Sequence, residues 1–454
     1  MILRATIAAA ALSVPLALAP GAPASAFCGF YVGKADSSLF NEASQVILAR
    51  DGRRTTLSML NDYKGALTEF ALVVPVPVVL RREQVKVIEK KTFERLDSYS
   101  APRLAEYFDE DPCAPRPPMV AMAPSSSRDM AGGAPRRGEK ALGVTVEDSF
   151  SVGEYDIVIL SATESDGLET WLTQNGYRIP AGAAPALRPY ILQGMKFFVA
   201  KVNLKEQAKT GGQFLRPIQF TFESEKFMLP MRLGMINAQG PQDMIVYVLS
   251  KTGRVESTNY RTVKLPANMD LPTCLRDPGR FKDFYKAMFD RRARDEGFRA
   301  VFTEYVWDMA WCDPCAADPL SRDELLAAGV TWLGEGPAGQ TGGQGRVRPT
   351  PMPPGAAPVT LTRLHVRYTR ESFPEDLALQ ETGDRQNFQT RYVLRHPWSG
   401  PTGATAQCPA AVEYGRALRA RQEREVQTLS NLTGWNIDEV RRRQREAPAA
   451  TPRR

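Results

Sequence analysis

Two of the six cysteines, Cys312 and Cys315, are separated by two residues, a spacing that can support thiol–disulfide exchange. In that chemistry Cys312 acts as the nucleophile and Cys315 as the resolving thiol. The nucleophile must be a thiolate, and a helix that begins at the first cysteine stabilises one through its dipole and free amides. The apolar segment 299–307, directly before the pair, is predicted to be a strand, which is the right element to precede such a site.

The residues after this pair argue against a reactive thiol. The pentapeptide Trp-Cys-Asp-Pro-Cys differs by one residue from the Trp-Cys-Gly-Pro-Cys of thioredoxins, but the next helix signal is the later capping box Ser321-x-x-Glu324. Asp313 lies between the cysteines, and a neighbouring negative charge disfavours a thiolate. We therefore expect a structural disulfide between Cys312 and Cys315. An envelope thiol–disulfide oxidoreductase that uses this pair is the alternative.

All the cysteines lie after Ala26, and an even number in an oxidising compartment favours disulfides. The candidates are Cys28, Cys113, Cys274, Cys312, Cys315 and Cys408. Besides the Cys312–Cys315 pair, we favour Cys28 with Cys113, because both lie at the edges of the first predicted folded segment. The other pairings stay open.

Few other residues suit catalysis or metal binding. Only two histidines are present, His365 and His396, so a zinc site completed by Cys312 and Cys315, or a histidine general base, has little support. The acidic stretch 106–111 lacks the glycine and ligand spacing of a calcium loop, and no glycine loop has the setting of a phosphate site. We predict no metal and no cofactor, and we favour a protein without catalytic residues.

The formal net charge is +7 over 454 residues, a mild excess that favours solubility more than any particular partner. A basic run near the C-terminus is the candidate for binding an anionic partner, with a solvated helix face as the alternative. It consists of Arg441, Arg442, Arg443 and Arg445. No nucleic-acid partner is expected, and the partner we consider is another envelope component.

The N-terminal segment 1–26 has the three zones of a secretory signal peptide: a basic start with Arg4, an apolar stretch over 5–19, and an end in Ala-Ser-Ala. Cleavage after Ala26 leaves Phe27 as the first residue. A lipid anchor on Cys28 would need a small residue where Phe27 stands. No later stretch has the roughly 18 apolar residues of a membrane helix, so we expect export to the periplasm or the medium without a transmembrane span.

Two stretches, 114–143 and 334–358, are rich in proline and glycine and lack apolar periodicity, so they are predicted to be linkers or long disordered loops. They separate segments of more regular pattern. We predict a signal peptide at 1–26, an α+β block at 27–113, a second one at 144–266, a helix–strand–CxxC block at 267–333, a strand-containing segment at 359–408, C-terminal helices at 409–445 and a disordered tail at 446–454.

Helices and strands do not alternate strictly, which favours an α+β fold with a largely antiparallel or mixed sheet and flanking helices. Hairpins are predicted at Asp51-Gly52 and at 251–254. Helices are predicted over 89–97, 102–108, 278–296 and 411–432. The segment 71–80 contains two prolines and is predicted to be an edge strand. The segment 359–368 alternates as a strand with one polar face.

Five longer strings resemble a bacterial secreted family catalogued as domain of unknown function 2330. The resemblance covers the whole chain after the signal peptide. The strings are F-C-G-F-Y-V at 27–32, F-A-L-V-V-P-V-P at 70–77, K-F-M-L-P-M-R-L-G-M at 226–235, W-D-M-A-W-C-D-P-C at 307–315 and L-R-H-P-W at 394–398. Such a resemblance implies an exported bacterial protein and supplies no activity.

Overall fold

The structure is a computed structural model that describes residues 30–33, 40–64, 70–114, 145–162, 165–177, 183–209, 215–236, 240–311, 318–334, 357–401 and 407–447. The expected signal peptide and nearly all of the two expected linkers lie outside these ranges. Helices and sheets within them are mixed, which confirms the α+β fold. None of the helices described is long and apolar enough to cross a membrane.

The strands are β1 (Phe30–Gly33), β2 (Phe40–Asp51), β3 (Arg54–Lys64), β4 (Phe70–Val76), β5 (Val85–Val87), β6 (Arg103–Phe108), β7 (Thr145–Val152), β8 (Tyr155–Ser161), β9 (Lys196–Val202), β10 (Ile218–Glu223), β11 (Met228–Leu229), β12 (Gln242–Ser250), β13 (Val255–Ser257), β14 (Arg261–Lys264), β15 (Met269–Leu271), β16 (Ala300–Asp308), β17 (Thr360–Tyr368), β18 (Leu377–Glu381), β19 (Phe388–Gln389) and β20 (Arg391–His396).

The helices are α1 (Lys91–Ser100), α2 (Ser165–Gln174), α3 (Ala183–Leu192), α4 (Leu204–Lys209), α5 (Pro278–Asp295), α6 (Arg322–Ala327), α7 (Pro409–Thr433) and α8 (Ile437–Glu446). The helix expected over 278–296 is confirmed as α5. Asp277 and Asn436 cap α5 and α8, since both side chains accept hydrogen bonds from the first-turn amides. Gly434 ends α7 in the left-handed conformation with φ of 77°.

A mixed sheet of nine strands runs through the protein in the order β14–β16–β17–β12–β2–β3–β10–β5, and β19 pairs with β16. The expected hairpin at Asp51-Gly52 is confirmed as β2 and β3, and Gly52 has the positive φ of 56° that such turns need. The strands come from four of the predicted segments, so residues far apart in sequence share one sheet.

A second, antiparallel sheet in the order β1–β4–β9–β8–β7 packs face to face with the first. Leu72 and Phe198 from this sheet meet Val46 and Phe220 from the nine-stranded sheet in one apolar cluster. Helices α2 and α3 cover the other face of the five-stranded sheet. This sandwich buries the alternating apolar side chains of both sheets, as the period of two along each strand requires.

The outer face of the nine-stranded sheet carries two separate apolar clusters. Helices α1 and α6 form one of them with Tyr247 and Leu361 of the sheet. Helices α5, α7 and α8 form the other with Phe302 and with the small parallel sheet β15–β20–β6. The charged residues described below lie between helices α1 and α5.

Three predictions of local structure are wrong. Residues 103–108 form strand β6 where a helix was expected, because they pair in parallel register with β20. The expected hairpin at 251–254 does not form, since β12 pairs with β2 and β17 while β13 pairs with β18. Strand β4 is not an edge strand, because it lies between β1 and β9; its Pro75 falls beyond the residues that pair with β1.

Gly329, which follows α6, provides a test of this packing. Its φ is +98°, and a Cβ atom there would lie 2.5 Å from Cγ2 of Thr56 in β3. We expect Gly329→Ala to lower the unfolding free energy by more than about 2 kcal/mol, because strain and a steric clash combine. Gly297 is the matched control, since its φ is +60° with no atom within 4 Å of an added Cβ.

The control Gly297→Ala has only the left-handed strain of about 1 kcal/mol to overcome. Urea unfolding of both variants measures the difference. Equal losses of stability in the two variants would contradict the close approach of α6 to β3.

Candidate functional site

The structure describes the residues before the cysteine pair up to Trp311. Strand β16 ends at Asp308, as expected, and Trp311 is 68% exposed. Cys312 and Cys315 lie outside the described residues, so their disulfide stays a prediction. Helix α6 begins at Arg322 behind the predicted capping box of Ser321 and Glu324. The next helix described therefore starts well after the cysteines.

The other cysteines correct the expected pairing. Cys113 forms a disulfide with Cys408 across 295 residues of sequence, so the favoured pairing of Cys113 with Cys28 is wrong. Sequence spacing could not reveal this pair, because β6 and the start of α7 meet only in the folded chain. Cys274 was a disulfide candidate, and the structure shows it buried as a free thiol. Cys28 lies outside the described residues.

A buried cluster of charged residues lies on the outer face of the nine-stranded sheet. Its centre is the carboxylate of Glu304 in β16, which is 1% exposed. Arg363 donates from Nε to Glu304 Oε2 at 2.5 Å, and His365 Nδ1 lies 2.7 Å from Glu304 Oε1. The hydroxyl of Tyr285 in α5 also donates to Oε1. Both oxygens of the Glu304 carboxylate therefore have side-chain partners.

A bulge in β16 positions Glu304. Thr303 pairs with Leu364 and Tyr305 pairs with Arg363, so Glu304 between them has no partner residue on β17. An extra residue of this kind turns a side chain away from its normal alternation. It points Glu304 at Arg363 and His365, which share a face of β17 because they are two residues apart.

The cluster extends to both neighbouring helices. Arg363 donates from its NH1 group to Asp97 of α1 at 2.6 Å, and the Tyr247 hydroxyl donates to the same Asp97 oxygen at 3.0 Å. Arg367, the next polar residue on β17, forms a two-pronged pair with Asp243 at 2.7 and 2.8 Å. Arg367 also pairs with Asp290 of α5. One row of residues on β17 thus holds α1 and α5.

His365 is held between two carboxylates. Its Nδ1 faces Glu304, its Nε2 lies 3.4 Å from Asp243 Oδ1, and its ring stacks on Phe289 of α5 with centroids 3.7 Å apart. Burial alone lowers the pKa of His365, but Glu304 and Asp243 outweigh burial and raise it above the ordinary 6.5. The two carboxylates therefore favour the protonated imidazolium over the neutral ring.

The pKa values of the two carboxylic acids shift in the opposite direction to that of His365. Burial alone would raise the pKa of Glu304, but Arg363 and His365 lower it to about 2. Burial also opposes ionisation of Asp243, and the bonds from His365 and Arg367 bring its pKa well below the ordinary range. The pKa of Tyr285 lies well above 10 because burial and Glu304 keep its proton in place. Around neutral pH the cluster is a set of fixed ion pairs.

This arrangement is poorly suited to proton transfer. A general base needs a free nitrogen or oxygen within reach of a substrate proton, whereas both nitrogens of His365 face carboxylates and Glu304 is buried. The second histidine is engaged too, since His396 Nε2 lies 2.6 Å from Glu106 Oε2 and its ring stacks on Phe108. Both imidazoles of the chain therefore have structural partners.

The acidic stretch after β6 is tied to other parts of the fold. Asp109 accepts two hydrogen bonds from Arg421 of α7 at 3.0 and 2.7 Å and one from the Tyr414 hydroxyl at 2.6 Å. Asp111 accepts from the amide of Cys113. No group of three or more histidine, cysteine or acidic side chains within the described ranges could hold a metal ion.

The basic run near the C-terminus lies on α8, where three of its arginines have acidic neighbours. Arg441 pairs with Glu423 and Asp438, and Arg442 and Arg443 pair with Glu439. Arg445 is exposed. The ion pairs reduce the positive charge offered to a partner, and binding of an anionic partner by Arg441, Arg442, Arg443 and Arg445 stays a prediction.

Sequence reasoning missed the charged cluster around Glu304. The available signal was the polar face of β17, where Arg363, His365 and Arg367 recur at every second residue. By itself such a face indicates only a strand. The acids that neutralise it come from β12, β16, α1 and α5, and nothing in their local sequence connects them with β17.

Removing the central carboxylate should cost much stability. We expect Glu304→Gln to lower the unfolding free energy by about 3–5 kcal/mol, because Arg363 and His365 would remain buried without their counter-charge. Glu206→Gln, which breaks the exposed pair with Lys209, is the control and should change it by at most about 0.5 kcal/mol. Denaturant unfolding compares the two, and a loss at Glu304 no larger than at Glu206 would contradict the role given to this carboxylate.

The charge of His365 can be observed directly, because the chain has only two histidines. We expect its NMR signal to keep the imidazolium shift as the pH rises past 6.5, and His365→Gln identifies the signal. A pKa raised in the folded state stabilises the protein fully below pH 6.5, and this contribution is lost as the pH rises through the folded pKa. An imidazole that titrates at or below 6.5 would contradict the two-carboxylate setting.

Comparison with known proteins supports the expected resemblance. No curated protein and no solved structure matches the chain. A family model described as an uncharacterized protein conserved in bacteria matches residues 22–380. Four of the five distinctive strings fall within this range, and the string at 394–398 lies beyond it. Since the match covers well over half of the 454 residues, the chain belongs to this bacterial family, DUF2330.

Proposed function

We propose that this protein is exported to the bacterial envelope, where it serves as a disulfide-stabilised binding or structural module without catalysis. The observation that carries the proposal is the disulfide between Cys113 and Cys408. Disulfides of this kind form and persist in oxidising compartments and are rare in the bacterial cytoplasm. The pattern of the N-terminal segment 1–26 agrees with that location.

The Cys113–Cys408 disulfide also links two distant parts of the fold. It joins the residues after β6 to the N-cap residue of α7, a helix of 25 residues that packs on α5 and β15. Closing so long a stretch of chain restricts the unfolded state and contributes about 2–5 kcal/mol. A protein exposed to the conditions outside the cytoplasm gains from such a covalent link.

The engagement of the titratable groups supports a role without catalysis. Glu304 and His365, the acid and the base at the centre of the buried cluster, neutralise one another. Catalytic groups are usually held so that a substrate can reach them. An interior whose charged groups are paired with one another suits a protein that binds its partner at the surface.

The proposal is tested by isolating the protein from fractionated bacteria and determining its mass and its non-reducing peptide map. We expect it outside the cytoplasm, starting at Phe27, with Cys113 linked to Cys408 and Cys274 free. A Cys113→Ser variant is the control for the linked peptides. An unprocessed chain in the cytoplasm, or reduced Cys113 and Cys408 in the exported protein, would overturn the proposal.

The rival oxidoreductase makes a different prediction for the same material. It requires Cys312 to cycle between thiol and disulfide and to reduce the disulfides of insulin. Reduction of insulin that disappears in Cys312→Ser would replace the non-catalytic proposal with an exported redox enzyme. The location and the Cys113–Cys408 link would be unaffected by that result.

A further inference from the structure

A cavity of about 370 Å³ opens between the start of α5, the 3-10 turn Thr273–Leu275 and helices α7 and α8. Its volume lies within the range of about 300–1,000 Å³ that is typical of sites for small molecules. Its apolar wall is built from Leu275, Leu429, Trp435 and Val440. An apolar wall of this size, with an indole ring, suits one aliphatic or aromatic group.

Four charged residues line the same cavity, and two of them are already neutralised. Arg443 donates from Nε to Glu439 at 2.7 Å and lies over the ring of Trp435. Arg280 donates only to the backbone oxygen of Cys274, at 3.3 Å. Within the described ranges, Arg280 has no carboxylate and Asp283 no cation at ion-pair distance. The cavity thus keeps one cation and one anion, which lie one turn apart on α5.

A neighbouring cavity of about 770 Å³ shares Cys274 and Arg280 but is not lined by Asp283. Its Arg276 lies 3.4 Å from Glu106, and its Asp277 accepts the amide of Gly279 as the cap of α5. Glu446, also in its lining, is paired with Arg442. Arg280 lines both cavities, and only in the smaller one does it meet Asp283 and the apolar wall.

We propose that the smaller cavity binds a free α-amino acid with an apolar or aromatic side chain. Arg280 donates hydrogen bonds to the carboxylate of the ligand, and Asp283 accepts from its ammonium group. The ligand side chain packs against Trp435 and the aliphatic wall. This inference deepens the proposed binding role and rests on it, because it assigns that role a ligand class.

The thiol of Cys274 takes no chemical part in this site. Burial raises its pKa above the ordinary value, and Arg280 and Arg443 only partly offset that effect. The group stays protonated and adds to the wall as a small apolar surface. The site therefore binds its ligand without covalent chemistry.

Calorimetric titration of the full mature protein with L-phenylalanine tests the proposal. Two analogues test the contribution of each ligand charge separately, since phenethylamine lacks the carboxylate and 3-phenylpropionate lacks the ammonium group. We expect saturable binding of L-phenylalanine and at least tenfold weaker binding of each analogue. No saturable binding of L-phenylalanine or L-leucine at millimolar concentration would overturn the proposal.

Three variants assign the contacts. Arg280→Gln should weaken the binding of L-phenylalanine and 3-phenylpropionate at least tenfold and leave the binding of phenethylamine unchanged. Asp283→Asn should weaken the binding of phenethylamine and leave the binding of 3-phenylpropionate unchanged. Lys282→Gln is the matched control, because Lys282 is exposed on the same helix and lies outside the cavity. Equal effects of all three variants would overturn the proposal, and unchanged melting temperatures confirm that each variant is folded.

Failure of this test is distinguishable from failure of the proposed function. Export, processing and the Cys113–Cys408 link are determined without any ligand. A protein that is exported and linked but does not bind L-phenylalanine would refute only the assignment of this cavity.

Discussion

The buried carboxylate of Glu304 is the constraint on which the centre of this fold depends. Moving a carboxylate from water into an interior costs several kcal/mol unless charges and hydrogen bonds replace its hydration. Arg363, His365 and Tyr285 supply that replacement from β17 and α5. The bulge in β16 and the polar face of β17 bring the carboxylate and its partners together. Arg363 extends the same constraint to α1 through Asp97.

The charged cluster and the disulfide hold different helices in place. Charge fixes α1 and α5 on the nine-stranded sheet, while Cys113–Cys408 and the pairing of Asp109 with Arg421 fix α7. Helices α5, α7 and α8 together wall the cavity assigned to an amino acid. The charge-neutralised interior and the peripheral cavity are the features on which the proposed binding role rests.

Local patterns predicted much of the fold because their causes are local. The Asp51-Gly52 hairpin and the helices expected over 278–296 and 411–432 each depend on residues close together in sequence. The helix expected at 102–108 is strand β6 instead, because parallel pairing with β20, far along the chain, decides its conformation. The Cys113–Cys408 pair and the partners of His365 escaped prediction for the same reason, since only the folded sheet brings them together.

The central claim is that the Arg363–Glu304 pair couples α1 to α5. Asp97 of α1 contacts Arg363, and Tyr285 of α5 contacts Glu304. A double-mutant cycle of the unfolding free energy with Asp97→Asn and Tyr285→Phe tests this most directly. The account predicts a coupling energy of about 0.5–3 kcal/mol, as for residues in one hydrogen-bonded network. Strictly additive effects of the two substitutions would contradict it.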